Sequence, residues 1–366
     1  MMYYLHRFSG DFGAFNVFFY TTFRSVAAAI TAFIICLLCG NFVIRKLISL
    51  KVGQPIRTAA EVHRLAELHG GKAGVPTMGG VLIIAAVFIS SALWARPDNR
   101  FVWLALFAMV VLGALGFADD YLKVTKKKSE GISGRAKLAV QLLVAAVVTA
   151  VFLTNPLIEV QARSLYLPFF KVPVITNMGL FTFVFFVIVI AGASNAVNLT
   201  DGLDGLAIGC TITVAFAYAL LTYAAGNFRI ADYLQVPFYP FTGELTVVCA
   251  ALVGAGLGFL WFNCHPAQVI MGDTGSLAIG GLIGVVAICC KQELLLVVVG
   301  GVFVIEAVSV ILQVLSFKST GKRIFLMSPL HHHFELSGWK ENTVIVRFWI
   351  VSAVFALLGL ATLKLR

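Results

Sequence analysis

The chain has 366 residues, 60% of them hydrophobic and 12% charged, where an ordinary soluble domain is about half apolar and a quarter charged. This balance excludes a soluble fold and leaves no length for a separate soluble domain. The formal charge of +10 does not indicate nucleic acid, because Lys and Arg gather in a few connections between apolar runs, as the positive-inside rule expects of a membrane protein.

The N-terminal segment carries Tyr3, Tyr4, Phe8, Phe12, Phe15, Phe18 and Phe19 with no basic region followed by a small-residue cleavage site. It reads as an interfacial lead-in to the first span. Ten apolar runs follow, at about 21–47, 77–95, 101–118, 138–155, 179–195, 206–225, 243–262, 276–290, 294–317 and 344–363, each near the roughly 20 residues a helix needs to cross a bilayer. They predict an all-α polytopic membrane protein formed of a single domain, 1–366, with both termini on one side. Connections after odd-numbered spans hold Arg45, Lys46, Lys51, Arg57, Arg64 and Lys72, then Lys123, Lys126, Lys127, Lys128, Arg135 and Lys137, then Lys318, Lys322, Arg323 and Lys340. These should be cytoplasmic and the termini extracytoplasmic. On the other side, YLPFFKVPVI within 155–178 alternates enough to predict a small hairpin.

Almost every clustered polar group falls on the face predicted to be cytoplasmic. KAGVPTMGG follows span one, Asp119 and Asp120 end span three, NAVNLTDGLDGL joins spans five and six, WFNCHPAQVIMGDTGS follows span seven and PLHHHFE follows span nine. Separated segments that bring polar groups to one side of a helical bundle can assemble a site between helices.

Adjacent acids at a helix C-terminus oppose the helix dipole, so Asp119 and Asp120 call for a cation: Mg²⁺, or Lys123 and Lys137. A solvated helix end is the plain alternative. Asp201 and Asp204, three apart, would share a face if Thr200 opened the next helix, with Gly202 and Gly205 leaving that face open to a ligand. Capping by Thr200 and Asp201 explains part of the pattern but not Asn198 or Asp204. Asp273 in MGDTGS could be a helix cap. In the company of the other acids it could hold Mg²⁺, which takes one or two carboxylates plus substrate phosphates. His331, His332 and His333 lack zinc spacing but could donate hydrogen bonds to phosphate. Glu306 and Gln313, inside span nine, are read as structural groups facing other helices. Gly254 and Gly258 are read as a helix-packing pair, and the seven cysteines as small hydrophobes.

Taken together, KAGVPTMGG, GFADDYLK, NAVNLTDGLDGLA, GFLWFN with MGDTGSLA, and PLHHHFE resemble the phospho-N-acetylmuramoyl-pentapeptide transferases of bacterial cell-wall synthesis, from FNVFFYTTFR at Phe15 to VIVRFW at Val344. The resemblance implies transfer of phospho-N-acetylmuramoyl-pentapeptide from UDP to undecaprenyl phosphate, a membrane lipid, giving lipid I and UMP with Mg²⁺. It also implies ten helices, a homodimer, the bacterial inner membrane and a cleft facing the cytoplasm. By position it makes Asp273 the metal aspartate and puts Asp119 and Asp120 beside the phosphates, with Asp119 a proposed base. Lys72, Lys123, Lys137, Asn198, Asp201, Asp204, Asn263 and His331 match substrate-site positions, with His332 and His333 alongside. Two departures stand out: Ile270 where the family commonly has Phe, and a stretch at 59–71 that is longer than usual. The readings set against this one are transfer of another sugar phosphate, such as UDP-N-acetylglucosamine, to the same lipid, and a secondary transporter. A transporter would place charged sites near the midplane of repeated halves.

Overall fold

The structure is a computed structural model that describes residues 1–50, 74–126, 131–156 and 158–363. Ten apolar helices organise it: α1 (Thr21–Ser49), α2 (Gly80–Trp94), α3 (Arg100–Lys126), α4 (Gly134–Leu153), α5 (Phe181–Thr200), α6 (Leu206–Gly226), α7 (Leu245–Asn263), α8 (Gly272–Cys289), α9 (Gly301–Thr320) and α10 (Glu341–Ala361). All but α2 are long and apolar enough to cross a membrane. The chain is a multi-pass, all-α membrane protein, as its composition requires. Among the described residues no strand forms. The predicted hairpin is reduced to one antiparallel bridge between Leu165 and Ile175.

α8 is the centre of the bundle. Its sequence is apolar on every side, and a helix of that kind has no face to give to solvent and goes inside. Nearly every residue from Thr274 to Cys289 is buried. Glycines let its neighbours close on it: a side chain at Gly280 would run into the α5 backbone at Ala193 and Ser194, and one at Gly116 of α3 would strike the carbonyl of Asp273. The N-terminus of this most enclosed helix therefore sits where α2, α3 and α5 meet.

The outer helices carry the lipid-facing surface, with Leu38 and Phe42 of α1, Ile311 and Leu315 of α9 and Leu357 of α10 exposed. α1 packs on α7 through the Gly254 and Gly258 pair, which faces Ala29 and Phe33 with Cys36. Five cysteines are buried, Cys39 and Cys264 are exposed, and all seven are free thiols.

The end of the bundle away from the N-terminus of α8 is locked by charge. Arg24, 1% exposed, donates to both oxygens of Glu244 at 2.6 and 2.7 Å and to the Trp94 carbonyl, while the Arg96 N–H donates to the same carboxylate. A buried charge needs such a partner to be tolerated. The Met1 ammonium donates to the carbonyls of Ala92 and Leu93 at the end of α2, and Gly359 of α10 packs on Val299. Both ends of the described chain thus lie on the face opposite the polar motifs.

Candidate active site

The floor of the site is the junction of PTMGG with VIMGD. The Gly79 and Gly80 N–H groups donate to the carbonyls of Ile270 and Met271, and the Ile270 N–H donates to the Pro76 carbonyl, all at 2.9 Å. Gly272 then turns the chain into α8 with φ +72°, a left-handed angle that glycine adopts without strain. A Cβ there would also press on Asp120 and Thr77.

The adjacent acids of α3 divide the work. Asp120 caps α8: its Oδ2 accepts from the Thr274 N–H at 3.0 Å and the Thr274 hydroxyl at 2.8 Å, and its Oδ1 accepts from the Asp273 N–H at 3.3 Å. The unpaired N–H groups and positive end of α8 answer one carboxylate. Asp119 is fully buried. Its Oδ1 accepts from the Ile132 N–H at 2.6 Å, and its Oδ2 lies 2.6 Å from Lys123 Nζ and 3.1 Å from Lys137 Nζ. The same two ammonium groups donate to Asp273 Oδ2 at 3.0 and 2.8 Å, while Asp273 Oδ1 accepts from the Asn198 amide at 2.8 Å. Asn198 also donates to Ser276 Oγ. The two acids do not end α3, which runs on to Lys126, so the dipole argument does not apply to them; Asp119 is instead answered by two ammonium groups and Asp120 by the N-terminus of a second helix.

A cavity of about 390 Å³ opens over this floor. Asp120, Lys123, Lys137, Asn198, Asp201, Asp273, His331 and His332 line it, with Thr77, Ile270 and the Met327–Pro329 segment. The carboxyl of Asp201 is pushed up to about 8, first by burial and then by the charges of Asp273 and Asp120, with a hydrogen bond from the Gly272 N–H pulling the other way.

Not every expected residue is at the cavity. Asp201 and Asp204 do not share a helix face. Thr200 ends α5 instead of opening the next helix, and Gly205, at φ +78°, turns the chain before α6 begins at Leu206. Asp201 faces the cavity. Asp204 points into a second cluster, accepting from His265 Nδ1 and the Ala267 N–H at 3.1 Å, with Glu341 Oε1 accepting the Asp204 N–H and standing 3.6 Å from the same imidazole. The open face foreseen at Gly205 holds the Trp349 ring, whose Nε1–H donates to the Gly205 carbonyl. Asn263 is buried and its amide donates to the Val269 carbonyl, closing the turn between α7 and α8. The three histidines diverge: His331 and His332 line the cavity, whereas His333 Nδ1 accepts from the Leu326 N–H. His332 is paired with Glu335 at 2.8 Å. Lys72 lies outside the described residues.

The sequence offers Thr274 and Ser276 as residues that open a helix and gives no role to Thr77, and none of the three is expected at the site. The two hydroxyls within one turn of Asp273 were the available signal, since helix-opening hydroxyls beside a carboxylate often share its hydrogen bonds. Nothing in the sequence joined His265 or Glu341 to Asp204. Their partnership exists only because α10 starts beside the turn after α7.

The donor set suits a hard divalent cation. Carboxylate oxygens of Asp119, Asp120 and Asp273 lie within 4.8 Å of one another. Among the described residues, Asp119 Oδ2 is buried with two ammonium groups against it and no well-aligned hydrogen bond. All are oxygen donors of the kind Mg²⁺ prefers.

The glycosyl transferase family 4 model matches residues 102–291, which takes in α3 to α8 and so both the Asp119–Asp120 and Asp273 corners of the site. Full-length similarity extends further. The phospho-N-acetylmuramoyl-pentapeptide-transferase of Methylacidiphilum infernorum (isolate V4) is 56% identical over 366 residues, covering 100% of both chains. That of Syntrophus aciditrophicus (strain SB) is 53% identical, covering 100% of this chain and 99% of its own. That of Geobacter sp. (strain M21) is 51% identical over 100% of both.

Proposed function

Because this chain belongs to the phospho-N-acetylmuramoyl-pentapeptide-transferases of glycosyl transferase family 4, we propose that it transfers phospho-N-acetylmuramoyl-pentapeptide from its UDP carrier to undecaprenyl phosphate, forming lipid I and releasing UMP. The observation that carries the reading is the arrangement around Asp273. One carboxylate at the head of a buried helix, gripped by Lys123, Lys137 and Asn198, opens on a cavity large enough for phosphate groups. The reading places the cavity on the cytoplasmic side of the inner membrane, supported by the basic residues at that end of the bundle, Lys318 in the last turn of α9 and Lys322 and Arg323 after it.

Exchange of one phosphoanhydride for another asks for alignment and charge neutralisation more than for covalent catalysis. In the reaction as we read it, an oxygen of the lipid phosphate attacks the β-phosphorus of the donor, the one bonded to the sugar. A new P–O bond forms, the bond from that phosphorus to the bridging oxygen breaks, and UMP leaves with the electron pair. A phosphate monoester has its second pKa near 6, so roughly nine tenths of the acceptor is already dianionic at pH 7 and no strong base is needed. Lys123 and Lys137 face the cavity and neutralise charge on the phosphates. Asp119, sealed beneath them, keeps both ammonium groups in place. Asp273, with Asp120 beside it, would hold Mg²⁺, which supplies Lewis-acid stabilisation of the phosphate oxygens when bound.

Purified protein in detergent, given undecaprenyl phosphate and either UDP-N-acetylmuramoyl-pentapeptide or UDP-N-acetylglucosamine, tests the reading. Lipid I and UMP should form from the first donor alone. Turnover of only the second would reassign the substrate, and UMP release without any lipid acceptor would rule out direct attack.

A further inference from the structure

α4 carries Lys137 on a turn that packing does not hold. No residue in 133–140 is buried, and Gln141, one turn after Lys137 on the same face, is the first buried residue of the helix. Yet the Lys137 ammonium stands 3.1 Å from Asp119 and 2.8 Å from Asp273. A flexible four-carbon stem does not by itself hold its own helix turn, so the fixed point lies deeper in α4. Gln141 Oε1 accepts from the Asn195 amide of α5 at 3.2 Å. The same amide donates to the Ala191 carbonyl of its own helix at 2.8 Å, which fixes the Asn195 side chain.

α5 is a firm post at this level. The Ser194 hydroxyl donates to the Leu277 carbonyl of α8, and Gly280 lets the α8 backbone meet that of α5 at Ala193 and Ser194. Three residues beyond Asn195, Asn198 donates to Asp273. The contacts close a ring: from Asp273 through Asn198 to α5, from Asn195 through Gln141 to α4, and from Lys137 back to Asp273. Stability does not account for the polar pair. Among the described residues Gln141 Nε2 is buried without a hydrogen-bond partner, a cost that a leucine in the same apolar helix would not carry.

We propose that Gln141 and Asn195 are positioning residues, a polar rung between α4 and α5 that sets the depth and rotation of the Lys137 turn, so that one ammonium group spans Asp119 and Asp273. Both act through Lys137. Their effect on rate rests on the transferase reading, whereas the hold of the rung on α4 does not depend on it.

Gln141→Leu tests the inference, because it keeps the bulk and removes both the hydrogen bond and the unpaired amide. The melting temperature in detergent should not fall, while kcat for lipid I should drop roughly 10- to 100-fold, the scale of a displacement approaching 1 Å. Asn195→Leu should match it, and the double variant should be no slower than either single one, since all three remove the same bond. Exchanging the pair, Gln141→Asn with Asn195→Gln, keeps two amides of the same total length and should recover most of the rate. In a Lys137→Gln background, followed with radiolabelled donor, adding Gln141→Leu should cost no further rate. A merely structural role predicts a lower melting temperature with kcat unchanged, or a further loss in the Lys137→Gln background. Either result overturns the inference, as do wild-type rates in Gln141→Leu. Amide hydrogen exchange supplies a readout independent of turnover: exchange across 134–140 should quicken in Gln141→Leu while 144–153 stays protected, and unchanged exchange in the first turns of α4 refutes the rung. If the wild type makes no lipid I, the proposed reaction fails and the exchange measurement still decides the role of the pair.

Discussion

Among the described residues two carboxylate clusters form, one built on Asp119, Asp120 and Asp273 and the other on Asp204, Glu341 and His265. Both bring together residues distant in sequence. They differ in what the oxygens have left to do. Asp204 Oδ2 is taken by an imidazole and a backbone N–H, and Glu341 accepts the Asp204 N–H, so the second cluster ties the turn after α7 to the start of α10. In the first, Asp120 is likewise committed to capping α8, but Asp273 is held by side chains that line the cavity with it. Clustered acids thus mark a candidate site only where their remaining coordination opens on space a substrate can enter.

The largest effect expected on this contrast comes from Asp273→Asn. It should lower lipid I synthesis by about 10³-fold or more, on the scale of removing a group that stabilises transition-state charge, with the melting temperature in detergent nearly unchanged. Turnover within tenfold of wild type would remove Asp273 from the site. Next is Gly116→Ala, which puts a methyl group against the Asp273 carbonyl. Displacing the head of α8 by an ångström should cost about 10² in kcat while every side chain of the cavity is retained. Full activity would mean that the α3–α8 approach does not set the geometry.

Asp204→Asn should behave in the opposite sense to Asp273→Asn. We expect a loss of about 1.5–3 kcal/mol in stability, the scale of a hydrogen bond to a charged group, read as a lower melting temperature, with kcat reduced less than tenfold. If instead activity collapses while stability holds, the second cluster belongs to the reaction. The last comparison is read in stability against pH and concerns Asp201. Its folded-state pKa, raised to about 8, exceeds the unfolded value near 3.9, so the folded protein binds the extra proton between those limits. Stability from this group is present at low pH and declines as pH rises through about 8. Melting temperatures measured in EDTA from pH 5 to pH 9 should therefore fall more steeply in the wild type than in Asp201→Asn, and equal slopes would contradict the assignment.

Much of this is legible in the sequence alone. Apolar runs near bilayer length located all ten helices, because that length is dictated by the hydrocarbon core and not by packing. The helix ends were less legible. The run read as opening at 276 begins at Gly272, since MGD forms the first turn of α8 once Asp120 is there to cap it. The run read as 294–317 is a short helix, Leu295–Val299, followed by α9 from Gly301. Glu306 was read correctly as facing protein, but its partner, the His331 N–H, lies in PLHHHFE, and nothing in periodicity connects the two. The Asp201–Asp204 spacing misled for a similar reason: a shared face requires a continuous helix, and the turn at Gly205 separates them.

The sequence by itself determined that the chain crosses the membrane repeatedly, that its polar motifs collect at one end, and that five of them carry the family pattern. Those properties follow from composition and local chemistry, which any arrangement of the helices would preserve. Only the tertiary structure decided which polar groups line the cavity and which are taken up by the fold. Asp119 became a buried anchor for two lysines, Asn263 and Asp204 turn locks, and His333 a brace, while Asp120, which also caps α8, and Asp273, Lys123, Lys137, Asn198, Asp201, His331 and His332 line the cavity. A buried polar group must find a partner, and whether that partner is protein or ligand depends on what the neighbouring helices bring within reach.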